Sequence, residues 1–364
     1  MIVSRRVASA GEADLPLVAA IPDRWAAIWQ LGDALVAPDA LPDPARRAEL
    51  TLCLELTMPP LRPRGALRLW QGAAEPGRAL GLYALPDGAL RLVHGDIDLS
   101  TAPDFGRPGE TLSLRYRSCA RGRGDIADFV NHDRAQRHRG RAGLPTAARL
   151  DEVLPRDDRF LRICHVAAIA EFGLAPTDMP ALADGAMVAT TAGPCPVALL
   201  RPGAEVLSVG GAELPLRWVE RRARLCLGRQ APVLLRAPYF GLHHDLCVTP
   251  QSRVMRSGPT VEYLFGVERV LVRAGDMIAS RGACRDRRRP VRVFHHLMCD
   301  DHACVAIDDC GVETALLADV VAAGDARHPI NLVETDRVPC LPALDRAGAQ
   351  ALVAASARGR RALS

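Results

Sequence analysis

Residues 235–278, LRAPYFGLHHDLCVTPQSRVMRSGPTVEYLFGVERVLVRAGDMI, set short apolar runs between Pro, Gly and Ser. Leu246 to Val248, Val261 to Phe265 and Val267 to Val272 are brief and bounded by turn-forming residues, the pattern of closely spaced β-strands. No run here has the length of an ordinary helix, so the stretch is expected to fold as strands and turns.

Upstream, the chain alternates with period two. Leu50, Leu52, Leu54 and Leu56 are followed by Leu67 and Leu69, Leu82 to Leu85, Leu90 and Leu92, then Leu112, Leu114 and Tyr116. Alternation puts one face of each strand in a core and the other in water, as in antiparallel sheets. Pro86-Asp87-Gly88 supplies a tight turn between two of these strands. A mainly β chain follows, whose residues 1–145 form an antiparallel β-sandwich of the lectin or jelly-roll kind. A short helix is expected at Pro22 to Leu35. Phe160, Cys164, Ala167, Ala168 and Phe172 recur at helical spacing, so 146–178 is expected to be a helical linker, with a boundary near Pro176 and His165 on its helix. Residues 179–325 make a second all-β domain. Residues 326–364 form a C-terminal extension with a short helix around Leu344 to Ala355.

Composition narrows the function classes. The chain of 364 residues is long enough for two cores, and its net charge of +4 is too mild to imply nucleic acid by itself. Every basic residue is Arg. The segment CARGRGDIADFVNHDRAQRHRGRAG, 119–143, gathers several of these, but only Phe129 could stack on a base, so it reads as a solvated edge rather than a nucleic-acid arm. The eleven cysteines are odd in number and scattered through apolar runs, which suits buried thiols in a reducing compartment. The N-terminal stretch has no apolar signal core, and no run of eighteen apolar residues exists. The expectation is a cytoplasmic protein without a membrane span, with secretion that needs no signal left open.

The order of landmarks goes further. Thr249-Pro250-Gln251-Ser252-Arg253, then Leu264-Phe265-Gly266-x-Glu268-x-Val270-Leu271-Val272-x-Ala274, resembles the second block of the Hint superfamily, the self-cleaving module shared by hedgehog proteins and inteins, and above all its bacterial members. Gly185, Val188 to Thr190, Pro196-Val197, Leu200 to Gly203, Val206-Leu207 and Arg217-Trp218-Val219 are similar to its opening block. Val293 to Leu297, His302 and Val312 to Thr314 continue the likeness.

The resemblance implies definite chemistry. The first residue of such a domain is a Cys or Ser that attacks the preceding carbonyl, and a histidine protonates the leaving amine. Here Ala181 stands in the nucleophile position and Ser252 in the histidine position, while Ala204 replaces the usual Asp. A methyl group cannot attack, and a hydroxyl does not titrate near neutrality. Cys195, the nearest downstream thiol, lies in a turn, and Asp308-Asp309-Cys310 lacks the Asn that splicing needs. The reading is a degenerate autoprocessing module, not an enzyme, that acts in binding a protein or carbohydrate ligand. The alternative is residual self-cleavage through Cys195, Ser252 or His296.

A rival lies in HHLMCDDHACVAIDDC, 295–310, where Cys299, His302, Cys304 and Cys310, beside His295 and His296, are zinc-ligand types. The second half of a zinc signature is absent, and alternation turns His296 away from His295 and Cys299. No cofactor is expected, with zinc as the alternative.

Overall fold

A computed structural model describes residues 25–31, 33–36, 45–120, 124–142, 147–174, 179–278, 280–323 and 338–361. Pro176 and the Arg121 and Arg123 of the basic segment lie outside them.

The first domain holds β1 (Trp25–Gln30), β2 (Asp33–Val36), β3 (Glu49–Thr57), β4 (Leu67–Gln71), β5 (Gly81–Ala84), β6 (Leu90–His94), β7 (Ile97–Ser100), β8 (Thr111–Cys119), β9 (Ile126–Asn131), β10 (Gln136–Arg141), α1 (Leu150–Val153), α2 (Asp158–Ile163) and β11 (Cys164–Ala170). They form a seven-stranded antiparallel sheet, β10-β9-β8-β3-β11-β1-β2, and a four-stranded meander, β4-β5-β6-β7. The two sheets enclose one core. Leu50, Leu52, Leu54 and Leu56 of β3 meet Leu69, Trp70, Leu82 and Leu92 of the meander there. Each such leucine contributes about 1.5–3 kcal/mol by leaving water. The turn at Pro86-Asp87-Gly88 forms as its residues dictate: Gly88 takes φ +84°, which a side chain would resist, and the Asp87 carboxylate accepts from the Ala89 amide.

The second domain holds β12 (Leu182–Ala183), β13 (Met187–Val188), β14 (Cys195–Pro196), β15 (Glu205–Leu207), β16 (Glu213–Leu225), β17 (Val233–Leu235), β18 (Leu246–Val248), β19 (Arg253–Ser257), α3 (Pro259–Phe265), β20 (Arg269–Arg273), β21 (Ala283–Arg285), β22 (Val291–Cys299), β23 (Cys304–Ile307), β24 (Cys310–Glu313), α4 (Leu317–Ala323) and α5 (Arg346–Arg361). Two sheets dominate, β15-β16-β22-β12-β18-β17-β21 and β20-β19-β24-β23. A core of Val188, Val206, Val233, Val248, Val254, Val270 and Leu297 joins them, and α5 closes it with Ala349 and Leu352. The segment before α5 runs beside β20, where the Leu344 amide donates to the Leu271 carbonyl.

Four expectations are corrected. Pro22 to Leu35 is not a helix: its described residues form β1 and β2, because Ala27 and Trp29 face the sandwich core while Trp25 and Ile28 face the opposite side. The linker over 146–178 is not helical throughout. After two short helices, Cys164–Ala170 is β11, paired between β3 and β1, and His165 sits on this strand with its Nε2 3.1 Å from the Thr57 hydroxyl. A strand buried on both faces loses alternation, and its Ala-rich run then imitates a helix. The basic segment is not irregular: its described residues form the β9–β10 hairpin, whose outer strand β10 is the partly exposed edge of the sheet, while Phe129 is wholly buried and Arg115 and Arg139 bond Asp128. Finally, α3 does form within 235–278, opened by Pro259 and stopped by Gly266 at φ +68°.

The outer face of β3 is not wet at its centre. Thr51 and Glu55 are buried there, and Val166, Ala168 and Leu174 share an apolar cluster with Leu225, Leu227 and Val291 of the second domain. Glu55 accepts from the Arg229 amide at 2.8 Å across this seam, and burial raises its carboxyl above the usual range. A cavity of about 70 Å³ lies along the seam between Cys53, Glu55, Arg115 and Leu225.

Candidate functional site

The Pro180–Ala181 peptide is the centre of the site, because three elements converge on it. β12 begins just after it and lies between β22 and β18, so β22 brings His296 alongside and the turn after β18 brings Thr249 and Ser252. Ala181, Thr249, Ser252 and His296 are all buried.

Each polar atom of this peptide has a partner. The Ala181 amide donates to Ser252 Oγ at 3.0 Å, and His296 Nδ1 donates to the Pro180 carbonyl at 2.8 Å. The Ser252 hydroxyl lies 2.8 Å from Thr249 Oγ1 and 3.2 Å from the Ala181 carbonyl, and the Thr249 hydroxyl donates to the Met179 carbonyl at 3.2 Å. The hydroxyls thus form a closed chain that accepts the amide hydrogen and passes its own protons away from the amide nitrogen. The structure brings Ala181, Ser252 and His296 together around this peptide.

The electrostatics fix the state of His296. Burial, then the nearby Arg224 cation, hold its proton affinity well below the usual histidine range. The ring is therefore neutral, with its one proton on Nδ1 facing the carbonyl oxygen. A donor at that oxygen would stabilise the negative charge that develops there on attack by a nucleophile. Residue 181 offers no nucleophile, since its side chain is a methyl group.

Other thiols do not replace it. Cys195 pairs with Val188 in the β13–β14 hairpin, and its Sγ contacts the Pro196 carbonyl at 3.6 Å, so it does not join Ala181, Ser252 and His296. Cys226 and Cys247 share an apolar cluster with Ala181, a neighbourhood the sequence reading missed because Cys226 follows β16 and Cys247 lies in β18, both far along the chain from Ala181. Burial pushes their thiols up to about 12 and about 11, so both are protonated. His295 faces the other way and contacts Asp184.

The zinc-type residues are dispersed. Among the described residues no group of three or more His, Cys, Asp or Glu is placed to hold a metal ion. Cys299 and Cys310 belong to the apolar core, and burial pushes each thiol up to about 12, away from the thiolate that zinc requires. Cys304 instead faces Cys340, at Sγ–Sγ 3.9 Å. His302 lies with Nε2 3.4 Å from Glu313 Oε2, while its Nδ1 is 2.9 Å from the Cys340 amide nitrogen. Glu313 also binds the backbone and guanidinium of Arg253, next to Ser252.

Residues 180–319 match the family model of the Hint domain. The chain carries a Hint domain. The match starts at the residue whose carbonyl His296 holds, and it covers both sheets of the second domain. No curated protein matched the chain in sequence comparison. No helix among the described residues is long and apolar enough to cross a membrane, which leaves strand-built membrane proteins aside.

Proposed function

We propose that this Hint domain is a degenerate autoprocessing module that leaves the Pro180–Ala181 peptide intact and serves a binding role together with the first domain. The observation that carries the reading is the methyl side chain of Ala181 in a peptide whose amide hydrogen is taken up by Ser252. The carbonyl donor His296 is in place, while the attacking group and the acid for the leaving amine are missing. The shared apolar cluster across the seam supports the same reading, because cleavage at this peptide would separate two domains that bury surface against each other.

The ligand, protein or carbohydrate, would be taken by the first domain. An open cleft of about 580 Å³ there is walled by Arg46, Arg78, Asp96 and Arg141, with His94 and Glu152 also lining it. Glu152 approaches Arg78 at 3.4 Å and His94 at 3.3 Å, and His94 contacts Tyr116, which donates to Asp125. Convergent donors and acceptors of this kind suit a hydroxyl-rich or charged ligand.

Incubating the purified chain with hydroxylamine tests the reading. A single full-length species over the time course is expected, and a fragment with a new N-terminus at Ala181 would remove it.

A further inference from the structure

Cys340 is an exposed thiol on the segment that leads into α5, and it lies against β23 of the Hint domain. Its Sγ is 3.9 Å from that of Cys304, a buried thiol whose other neighbours belong to β23 and β24. The two residues are 36 apart in sequence, so the fold and not the local chain brings them together. Beside them His302 places Nδ1 against the Cys340 amide and Nε2 near Glu313, within a pocket where the imidazole side chain is almost fully buried. One thiol open to solvent, one sheltered behind it, and an imidazole backed by a carboxylate make a different constellation from the Ala181 site.

We propose that Cys304 and Cys340 form a thiol–disulfide exchange site that takes small disulfides such as glutathione disulfide, with Cys340 as the attacking sulfur and Cys304 as the resolving one. The closed form ties the C-terminal segment to β23. The roles follow from access, since only Cys340 can meet a reagent from solvent. The environment agrees: the hydrogen bond from Cys304, against burial and with help from His302, draws the Cys340 thiol below the usual range, while Cys304 is shifted the other way.

The chemistry balances in two exchanges. Cys340, its proton lost to solvent, attacks one sulfur of the glutathione disulfide, whose S–S bond breaks and releases one glutathione thiolate. Cys304 then gives up its proton and attacks Cys340 Sγ, expelling the second glutathione thiolate. Two protein thiols are oxidised by two electrons, and one disulfide is reduced to two thiols. The sulfurs must close from 3.9 Å to about 2.05 Å, a movement available to the exposed Cys340 side chain.

Treating the full-length chain with glutathione disulfide, alkylating the remaining thiols and mapping the peptides tests this without relying on the Hint reading. The expected result is a Cys304–Cys340 cross-linked peptide that dithiothreitol releases. Cys304→Ser should instead retain glutathione on Cys340, and Cys340→Ser, a change at an exposed position, should leave Cys304 unmodified. The proposal is overturned if the unaltered chain keeps glutathione on Cys340 with no cross-link. It is equally overturned if Cys195 and Cys284 react as fast as Cys340, or if purified protein holds stoichiometric zinc that Cys340→Ser removes.

Discussion

His296 and His302 belong to one domain and both have Nδ1 against main chain, yet their surroundings drive them in opposite directions. Around His296 the nearby charge is Arg224 and the ring contacts a carbonyl, so burial wins and the ring stays neutral. Around His302 burial also opposes charge, but the neighbouring Cys340 thiol and Glu313 carboxylate lift its proton affinity to about 9. The Cys340 amide donates to Nδ1 and so favours the neutral ring, opposing this lift. The first histidine faces a peptide without a nucleophile, and the second lies beside a thiol pair. On the proposed reading, the methyl group at 181 and the hydroxyl at 252 leave the first centre with its carbonyl donor but without attacking group or acid, while the neighbouring centre depends on contacts made through the fold.

The largest expected effect falls on the residue that links the two. Glu313→Ala removes the partner of both Arg253 and His302, and should cost about 3 kcal/mol in urea unfolding. That is the lower end for a broken buried pair, because Arg253 keeps some access to water. Equal stability to the unaltered chain would detach the two centres from each other. Ser252→Ala should cost about 1–3 kcal/mol, because the buried Ala181 amide loses its acceptor. An unchanged denaturation midpoint would show that the hydroxyl chain contributes nothing.

The two histidines should differ in pH dependence. His296 has a lowered proton affinity, so its contribution is complete above the unfolded value near 6.5 and is lost as pH falls below it. His302 has a raised one, so its contribution is complete below 6.5 and is lost as pH rises through about 9. Subtracting the stability profiles of His296→Gln and His302→Gln from that of the parent should reveal an acid limb and an alkaline limb, each at most about 1.4 kcal/mol per pH unit. Limbs of the same sign would refute the contrast. The smallest effect is expected at the half-exposed Arg217–Asp300 pair, where Asp300→Asn should change stability by less than about 0.5 kcal/mol.

Much of this was legible in the sequence, for physical reasons. Leu50 to Leu56 alternate because one face of β3 fills the sandwich core, and Ala181 and Ser252 could be singled out because the Hint-like order of landmarks marks their positions, while their meeting with His296 is visible only in the fold. β11 and β1 were misread because a strand covered on both faces has no wet side to reveal its period. The docking of the second domain on Thr51 and Glu55 was equally hidden, since polar residues on a strand look solvated until something covers them. Cys340 escaped notice because its partner lies far back in the chain and nothing local marks an exposed thiol as paired.

The central claim is that chemistry at residue 181 ended with the loss of its nucleophile. Intact mass of the unaltered chain beside an Ala181→Cys/Ser252→His double variant, both incubated with hydroxylamine, tests it most directly. The account predicts one full-length mass for the parent and a break before residue 181 in the variant. Fragments with that same break from the parent chain would contradict it.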